Sequence, residues 1–275
     1  MKSLLRLLGL TGLVVCLNLN AQIPTDDDFT TEMRWQVINN PPKIPTGNAY
    51  TSFTTTSGQM NYLVSSGTAK DTAGRFWFPA VGPSDSDWSV NVDVNLSSEI
   101  DAKLTEEGQY VNLNLGVAFS NYSMMMSIDR YRDGSGIVYG FEAYNGIEPI
   151  GENTLYPLTS GTLRVSYIAA SSTLTAQFSN PSVSGGSLQT VGTMNTSSWG
   201  MSPSDTFNII LVGGSGFSHP TLSGTGPTIA DDTAFFSTFG SNGLEARTAP
   251  VPEPSTYAAI IGLLALGFAI YRRRG

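Results

Sequence analysis

Carboxylates are the first residues that could do chemistry. Glu99-Ile-Asp101 places two acids two residues apart, and a pair of carboxyls flanking a glycosidic bond is what sugar hydrolysis requires. Glu106 and Glu107 follow out of register with them. The segment comes after Ser97-Ser98 and lies outside any alternating run, so it reads as a solvated loop, and no catalytic residue is assigned. His219 is the sole histidine, so a Ser-His-Asp device or a histidine-centred metal site would have to use it. It sits in the turn-rich Gly216-Phe-Ser-His-Pro220, and Gly213-Gly-Ser215-Gly-Phe217 lacks the final glycine of a nucleophile elbow. An exposed loop histidine is the expectation.

Binding chemistry has more material. Calcium uses oxygen ligands alone, and Asp26-Asp27-Asp28, Asp85 with Asp87, Asp129 with Asp133, and Asp231-Asp232 are the candidates. None has the full spacing of a calcium loop. Each reads as a solvated turn and the triple Asp as a mobile acidic tail, so no metal ligand is assigned and calcium is the one cofactor left open. Sugar recognition needs aromatic platforms. Trp35, Trp77, Trp88 and Trp199 are available. Trp88 is in register with core positions, and Phe76-Trp77-Phe78 puts aromatics on both faces of one strand. Trp199, in Ser197-Ser-Trp-Gly200, reads as a loop residue and is the best candidate of the four for a glycan platform, although an edge-core tryptophan is the commoner outcome for such a residue.

The elements that must position these residues are strands. Trp88 to Leu96 alternates apolar and polar over its whole length, with Ser, Asn and Asp on the second face, which is the pattern of a half-buried strand. Val111 to Phe119, Tyr122 to Ile128, Leu163 to Ala169 and Leu174 to Phe178 alternate in the same way. Phe207 to Val212 is a continuous apolar run, which predicts a more deeply buried strand. A late strand is expected over Thr233 to Phe239. Asp133-Gly134-Ser135-Gly136 should reverse a hairpin and Ala170-Ser171-Ser172 the next one. Ser97 to Glu107 is the one stretch that admits a short helix. A sheet with one apolar face must meet another sheet, so the expected fold is all-β, a two-sheet antiparallel sandwich over residues 22–249 with its core in about 70–240.

Charge and cysteine bound the partners. The net charge is −8, and Lys2, Arg6, Arg272, Arg273 and Arg274 lie in the end segments. The middle is therefore more acidic than the total, carries no basic cluster, and excludes nucleic acid as a partner. The only cysteine is Cys16, so no disulfide supports the domain. Val14 and Val15 before it argue against lipidation.

The two ends read as addresses rather than fold. Lys2 and Arg6, an apolar stretch from Leu7 to Leu17, and Ala21 form a signal peptide over 1–21. At the other end Val251-Pro252-Glu253-Pro254 precedes an uncharged apolar segment, 256–271, and then Arg272-Arg273-Arg274. The prolines keep the motif extended and accessible. The segment is expected to form a transmembrane helix, with Tyr257 and Tyr271 at the interfaces and the arginines as a cytoplasmic stop-transfer signal.

This tail, residues 250–275, resembles the PEP-CTERM sorting signal in order, spacing and position. The resemblance implies recognition of Val251, Pro252, Glu253 and Pro254 by an exosortase after passage through the export translocon. It also implies a membrane-bound stage, then release or attachment at the cell surface, in the setting of extracellular polysaccharide and biofilm. The strands between about 70 and 215, on Trp88-Ser-Val-Asn-Val-Asp-Val, Leu115-Gly-Val-Ala-Phe119, Gly161-Thr-Leu-Arg-Val165 and Thr173-Leu-Thr-Ala-Gln-Phe178, resemble the concanavalin A-like, laminin-G-like jelly roll. Hydrolases of that fold carry a Glu-x-Asp-x-x-Glu strand, and here Leu104 stands in the third acidic place. Three readings follow: a non-enzymatic surface or matrix protein, a carbohydrate-binding module for exopolysaccharide, and a divergent glycoside hydrolase.

Overall fold

The computed structural model describes residues 26–27, 29, 36–37, 51–56, 58–65, 72–145, 148–151, 157–218 and 221–246. They form two eight-stranded antiparallel sheets. The first runs in the order β13 (Gln189–Asn195), β12 (Thr173–Ser179), β11 (Ser160–Ile168), β6 (Trp88–Leu96), β15 (Ala234–Asn242), β4 (Gln59–Val64) and β3 (Thr51–Thr56), with β1 (Asp26–Asp27) also on β15. The second runs β10 (Glu148–Pro149), β9 (Gly136–Asn145), β8 (Tyr122–Asp133), β7 (Gln109–Phe119), β14 (Thr206–Phe217), β5 (Thr72–Pro83) and β16 (Glu245–Ala246), with β2 (Gln36–Val37) on β5. The all-β sandwich expected from alternation is therefore present.

Alternation places the core between the sheets. Along β6 every second residue from Trp88 to Leu96 is buried and the intervening ones are half-buried. Leu163, Val165 and Tyr167 of β11 and Leu174, Ala176 and Phe178 of β12 join that face. Val111, Leu113, Leu115 and Val117 of β7 and Met124, Met126 and Ile128 of β8 meet it from the second sheet. Phe141 of β9 stacks on Phe178 of β12 at 4.4 Å between ring centres, one of the contacts that join the layers. On β14 both faces are buried from Ile209 onward, as its unbroken apolar run predicts.

The reversals also follow their residues. β8 and β9 pair from Met124↔Asn145 to Asp133↔Gly136. At the turn Asp133 Oδ1 accepts hydrogen bonds from Ser135 N at 2.8 Å, Ser135 Oγ at 2.6 Å and Gly136 N at 3.1 Å. A side-chain carboxylate that caps its own turn in this way stabilises the local reversal. Ala169–Ser171 forms a 3-10 turn between β11 and β12, closed by Ser172 at φ 49°.

Three expectations need correction. The core extends before residue 70: β3 and β4 form a hairpin that adds to β15, and Met60, Tyr62 and Val64 are fully inside. The two strands are six residues each, and the outer one is mostly threonine, so neither carries the long alternation that marks β6. Asp26-Asp27 is a strand rather than a mobile acidic tail, paired with Gly240 and Phe239, and Phe29 just after it is 1% exposed. An apolar anchor in the core holds the acidic pair against the sheet. Finally, Glu99–Lys103 is a short helix that buries Ile100 rather than a loop, and Leu104 behind it is buried too.

Candidate functional site

On β8 the core takes Met124, Met126 and Ile128, so Ser127, Asp129 and Tyr131 stand on the opposite face of the second sheet. Register brings neighbours to them. Across β7, Asn112 is opposite Asp129 and Asn114 is opposite Ser127. Across β9, Gly140 is opposite Asp129 and Glu142 is opposite Ser127. Asn112, Asn114, Ser127, Asp129 and Glu142 thus form one polar patch over three adjacent strands.

The patch is ordered by amides. Asn114 Nδ2 donates to Asn112 Oδ1 at 3.1 Å and to the Val212 carbonyl at 3.3 Å. Gly214, opposite Asn112 on β14, makes room for this arrangement, since a Cβ there would lie 2.3 Å from Asn112 Oδ1. Asp129 keeps some exposed surface, but its Oδ2 is covered and has no hydrogen-bond partner. Burial, and after it the charge of Glu142, pushes the Asp129 carboxyl up to about 7, while Ser127 and Asn112 pull the other way. Ser127 is 0% exposed and lies next to Asp129 on the same strand face. Burial raises Glu142 as well. Two carboxyls that resist ionising together can hold a proton or a cation.

The pairing of Asp129 with Asp133 is not what forms. Asp133 is held by its turn, and the Ser135 donors keep its carboxyl below the usual range. The acid whose charge bears on Asp129 is Glu142, opposite Ser127 on the next strand, which sequence reasoning missed. Alternation along β8 put Ser127 and Asp129 outside the methionine face, but the strand beside them is visible only in the fold.

Glu99 and Asp101 part company. Glu99 is exposed, whereas Asp101 Oδ1 takes a 2.8 Å salt bridge from Arg130 Nη1. Arg130 is 0% exposed, points into the core side of β8, and also donates to the Ser97 carbonyl at 2.6 Å. Tyr139 Oη donates to Asp101 Oδ2 at 2.8 Å, and its ring lies 5.1 Å from the guanidinium carbon. Burial lowers the Arg130 pKa, and Asp101 and Tyr139 partly restore it. Arg132 Nη1 adds a bond to the Leu104 carbonyl at 2.9 Å. Asp101 therefore fastens the short helix to the sheet and is not a free carboxylate.

Trp199 takes the edge-core place rather than that of an exposed platform. It ends a 3-10 turn, Ser197–Trp199, and is 6% exposed. Its indole stacks on Tyr122 at 5.3 Å and 12° and meets the edge of Phe207 at 6.0 Å. Phe207 in turn touches Tyr167 and Trp88. The aromatic surface open to solvent at this end is that of Tyr122, which is 43% exposed. Apolar packing under the turn decides this burial of Trp199. Trp88 is buried as its register predicts, and its Nε1 donates to the Pro83 carbonyl at 2.9 Å.

The other acidic pairs accept hydrogen bonds, both local and from distant segments. Asp87 Oδ1 accepts from Ala169 N at 2.8 Å, Asp85 Oδ1 from Ser86 Oγ at 3.3 Å, and Asp231 Oδ1 from Thr54 Oγ1 at 3.3 Å. Among the described residues no group of three or more His, Cys, Asp or Glu side chains could hold a metal ion, and no helix is long and apolar enough to cross a membrane. The signal peptide with Cys16, Trp35, His219, the side chain of Trp77 and all of 250–275 lie outside the described residues.

For the tail, comparison with known proteins supplies what geometry does not. Residues 250–274 match the PEP-CTERM protein-sorting motif. This chain carries a PEP-CTERM sorting signal. PEP-CTERM sorting indicates an exported protein and implies an exosortase as processing partner. No curated protein matches the sequence. Among solved structures, the CBM2 module of the evolved Dit of Lactobacillus casei BL23 phage J-1 is similar at 11% identity and TM-score 0.47, over 82% of this chain and 96% of that one. Peanut lectin gives 11% identity and TM-score 0.47, over 81% and 97%. A bifunctional GH43-CE protein of Bacteroides eggerthii gives 12% identity and TM-score 0.49, over 84% of this chain and 27% of that one.

Proposed function

We propose that this is a β-sandwich protein of the cell surface or extracellular matrix, released from a membrane-bound stage by an exosortase, with a structural or adhesive rather than catalytic role. The observation that carries the reading is the match of residues 250–274 to the sorting motif, immediately after a sandwich whose last strand ends at Ala246. Cutting the chain at the motif severs no described strand, so the domain survives its own processing. Changing Pro252, Glu253 and Pro254 to alanine is expected to leave a larger, membrane-retained form by immunoblot and intact mass. A mutant that matures at the normal mass would reduce the tail to a plain anchor.

A second reading, a carbohydrate-binding module for exopolysaccharide, is favoured by one feature. Tyr122 offers a ring face held flat by Trp199 behind it, and a pre-ordered aromatic surface loses little freedom when a sugar stacks on it. On a glycan array, specific binding should be lost in Tyr122→Ala and weakened in Trp199→Ala. The absence of binding to every glycan would remove this reading and leave the first in place.

A further inference from the structure

The last described strand fixes where the chain leaves the sandwich. Glu245 is opposite Val81 and Ala246 opposite Ala80. Val81 shares its row with Asn208 and Ala118, and Tyr122 stands one row further out, opposite Phe119. The exit at Ala246 is therefore about 7 Å along the strands from the Tyr122 end, and about 30 Å from the β8–β9 turn at Asp133. Nine residues, 247–255, separate that exit from the apolar segment, with Pro250, Pro252 and Pro254 among them. A tether of that length and composition spans at most about 30 Å. It brings the Tyr122 end to a bilayer easily, and the other end only when fully stretched. The Tyr122 end is one tied surface across both sheets. Ser84 N donates to the Asp205 carbonyl at 3.1 Å, Ala169 N to Asp87 Oδ1 at 2.8 Å, and Asn195 Nδ2 to the Ser171 carbonyl at 3.0 Å. Tyr122 and Ile168 on it are 43% and 48% exposed. Its turns, 83–87, 119–123, 168–172 and 195–206, carry Asp85, Asp87 and Asp205 and no Lys or Arg. Leu188 is exposed as well but lies at the opposite end of β13, so tether length rather than apolarity selects the end.

We propose that, during the membrane-bound stage on which this inference rests, the Tyr122 end of the sandwich stands on the bilayer, with Tyr122 and Ile168 in a headgroup layer of zwitterionic lipid. Tyrosine suits that layer, since its ring is apolar and its hydroxyl polar. Two side chains are too little for lasting attachment, which takes a second signal. The tether supplies it by holding this end at high local concentration against the surface. The acids of the end oppose an anionic surface, so lipid charge weakens the contact. Cutting the tail removes the tether, and the step that releases the protein also uncovers Tyr122.

The test uses the chain with its tail intact, purified from cells without an exosortase and carrying Cys16→Ser, in phosphatidylcholine nanodiscs. A fluorophore is placed on Asn121→Cys or Ser171→Cys at this end, or on Ser187→Cys at the other. Quenching by lipid with a nitroxide headgroup is expected to be several-fold stronger at the first two positions. It should fall in Tyr122→Ser and in Ile168→Ser, and weaken when phosphatidylglycerol is added. Equal quenching at both ends overturns the proposal, as does near-end quenching unchanged in both apolar variants. Near-end quenching that appears only in native membranes assigns this end to a membrane protein and overturns it too. A chain that does not float with the nanodiscs refutes the anchored stage itself, and flotation thus separates that failure from a failure of orientation.

Discussion

At the scale of single residues, the sharpest energetic statement concerns Arg130. A guanidinium with no exposed surface meets Asp101 and the Ser97 carbonyl through Nη1 beside the Tyr139 ring, while its Nε and Nη2 are buried without a hydrogen-bond partner. Removing one partner of such a pair leaves an uncompensated charge inside. Asp101→Ala is therefore expected to destabilise the domain by about 3–5 kcal/mol, read as a lower urea midpoint. Arg130→Met, combined with Asp101→Asn, removes the charge itself and should recover most of that loss. Equal midpoints for Asp101→Ala and wild type would show the pair to be solvated. The same residue-level lesson applies to Asp101 as a candidate catalytic acid: sequence spacing displayed the carboxyl, but its partner sits on a distant strand.

At the scale of elements, the ends of the sandwich are set by anchors that short strands could not announce. β1 contributes two residues to β15, and its hold depends on Phe29 entering the core. Phe29→Ala should cost about 3–5 kcal/mol and expose the Asp26–Asp27 backbone to rapid amide exchange. Protection unchanged at those amides would show that β15 pairing alone suffices. Gly82 on β5 makes a second case. A Cβ there would lie 2.3 Å from the Trp88 ring, and that ring is packed against Tyr167 and Phe207. Gly82→Ala should lower stability by about 1–3 kcal/mol through overpacking, measured by the denaturation midpoint. The long alternating strands β6, β7, β11 and β12 were legible in the sequence because each has a full apolar side. The β3–β4 hairpin was not, because its outer strand is a run of threonines around a single Phe53.

At the scale of the whole molecule, folding and address are separate. The described sandwich closes at Ala246 and the sorting motif begins at residue 250. A chain ending at residue 249 should therefore unfold at the same midpoint as the longer protein, within the roughly ±0.5 kcal/mol expected of changes outside the core. A marked fall in its midpoint would mean that the tail contributes to the domain. With its only cysteine at position 16, the domain relies on packing across its two sheets, so reductant should not change that midpoint.

By itself the sequence determined the strand-rich architecture, the Asp133–Gly136 hairpin, the buried register of Trp88 and the sorting tail. Each of these is written in neighbouring residues, through period-two alternation, turn chemistry or a contiguous motif. Only the packed fold places Glu142 opposite Ser127 and near Asp129, fastens Asp101 to Arg130 and stacks Tyr122 on Trp199. In each case the partners lie on different elements, and strand order and register, which depend on packing the whole core at once, bring them together.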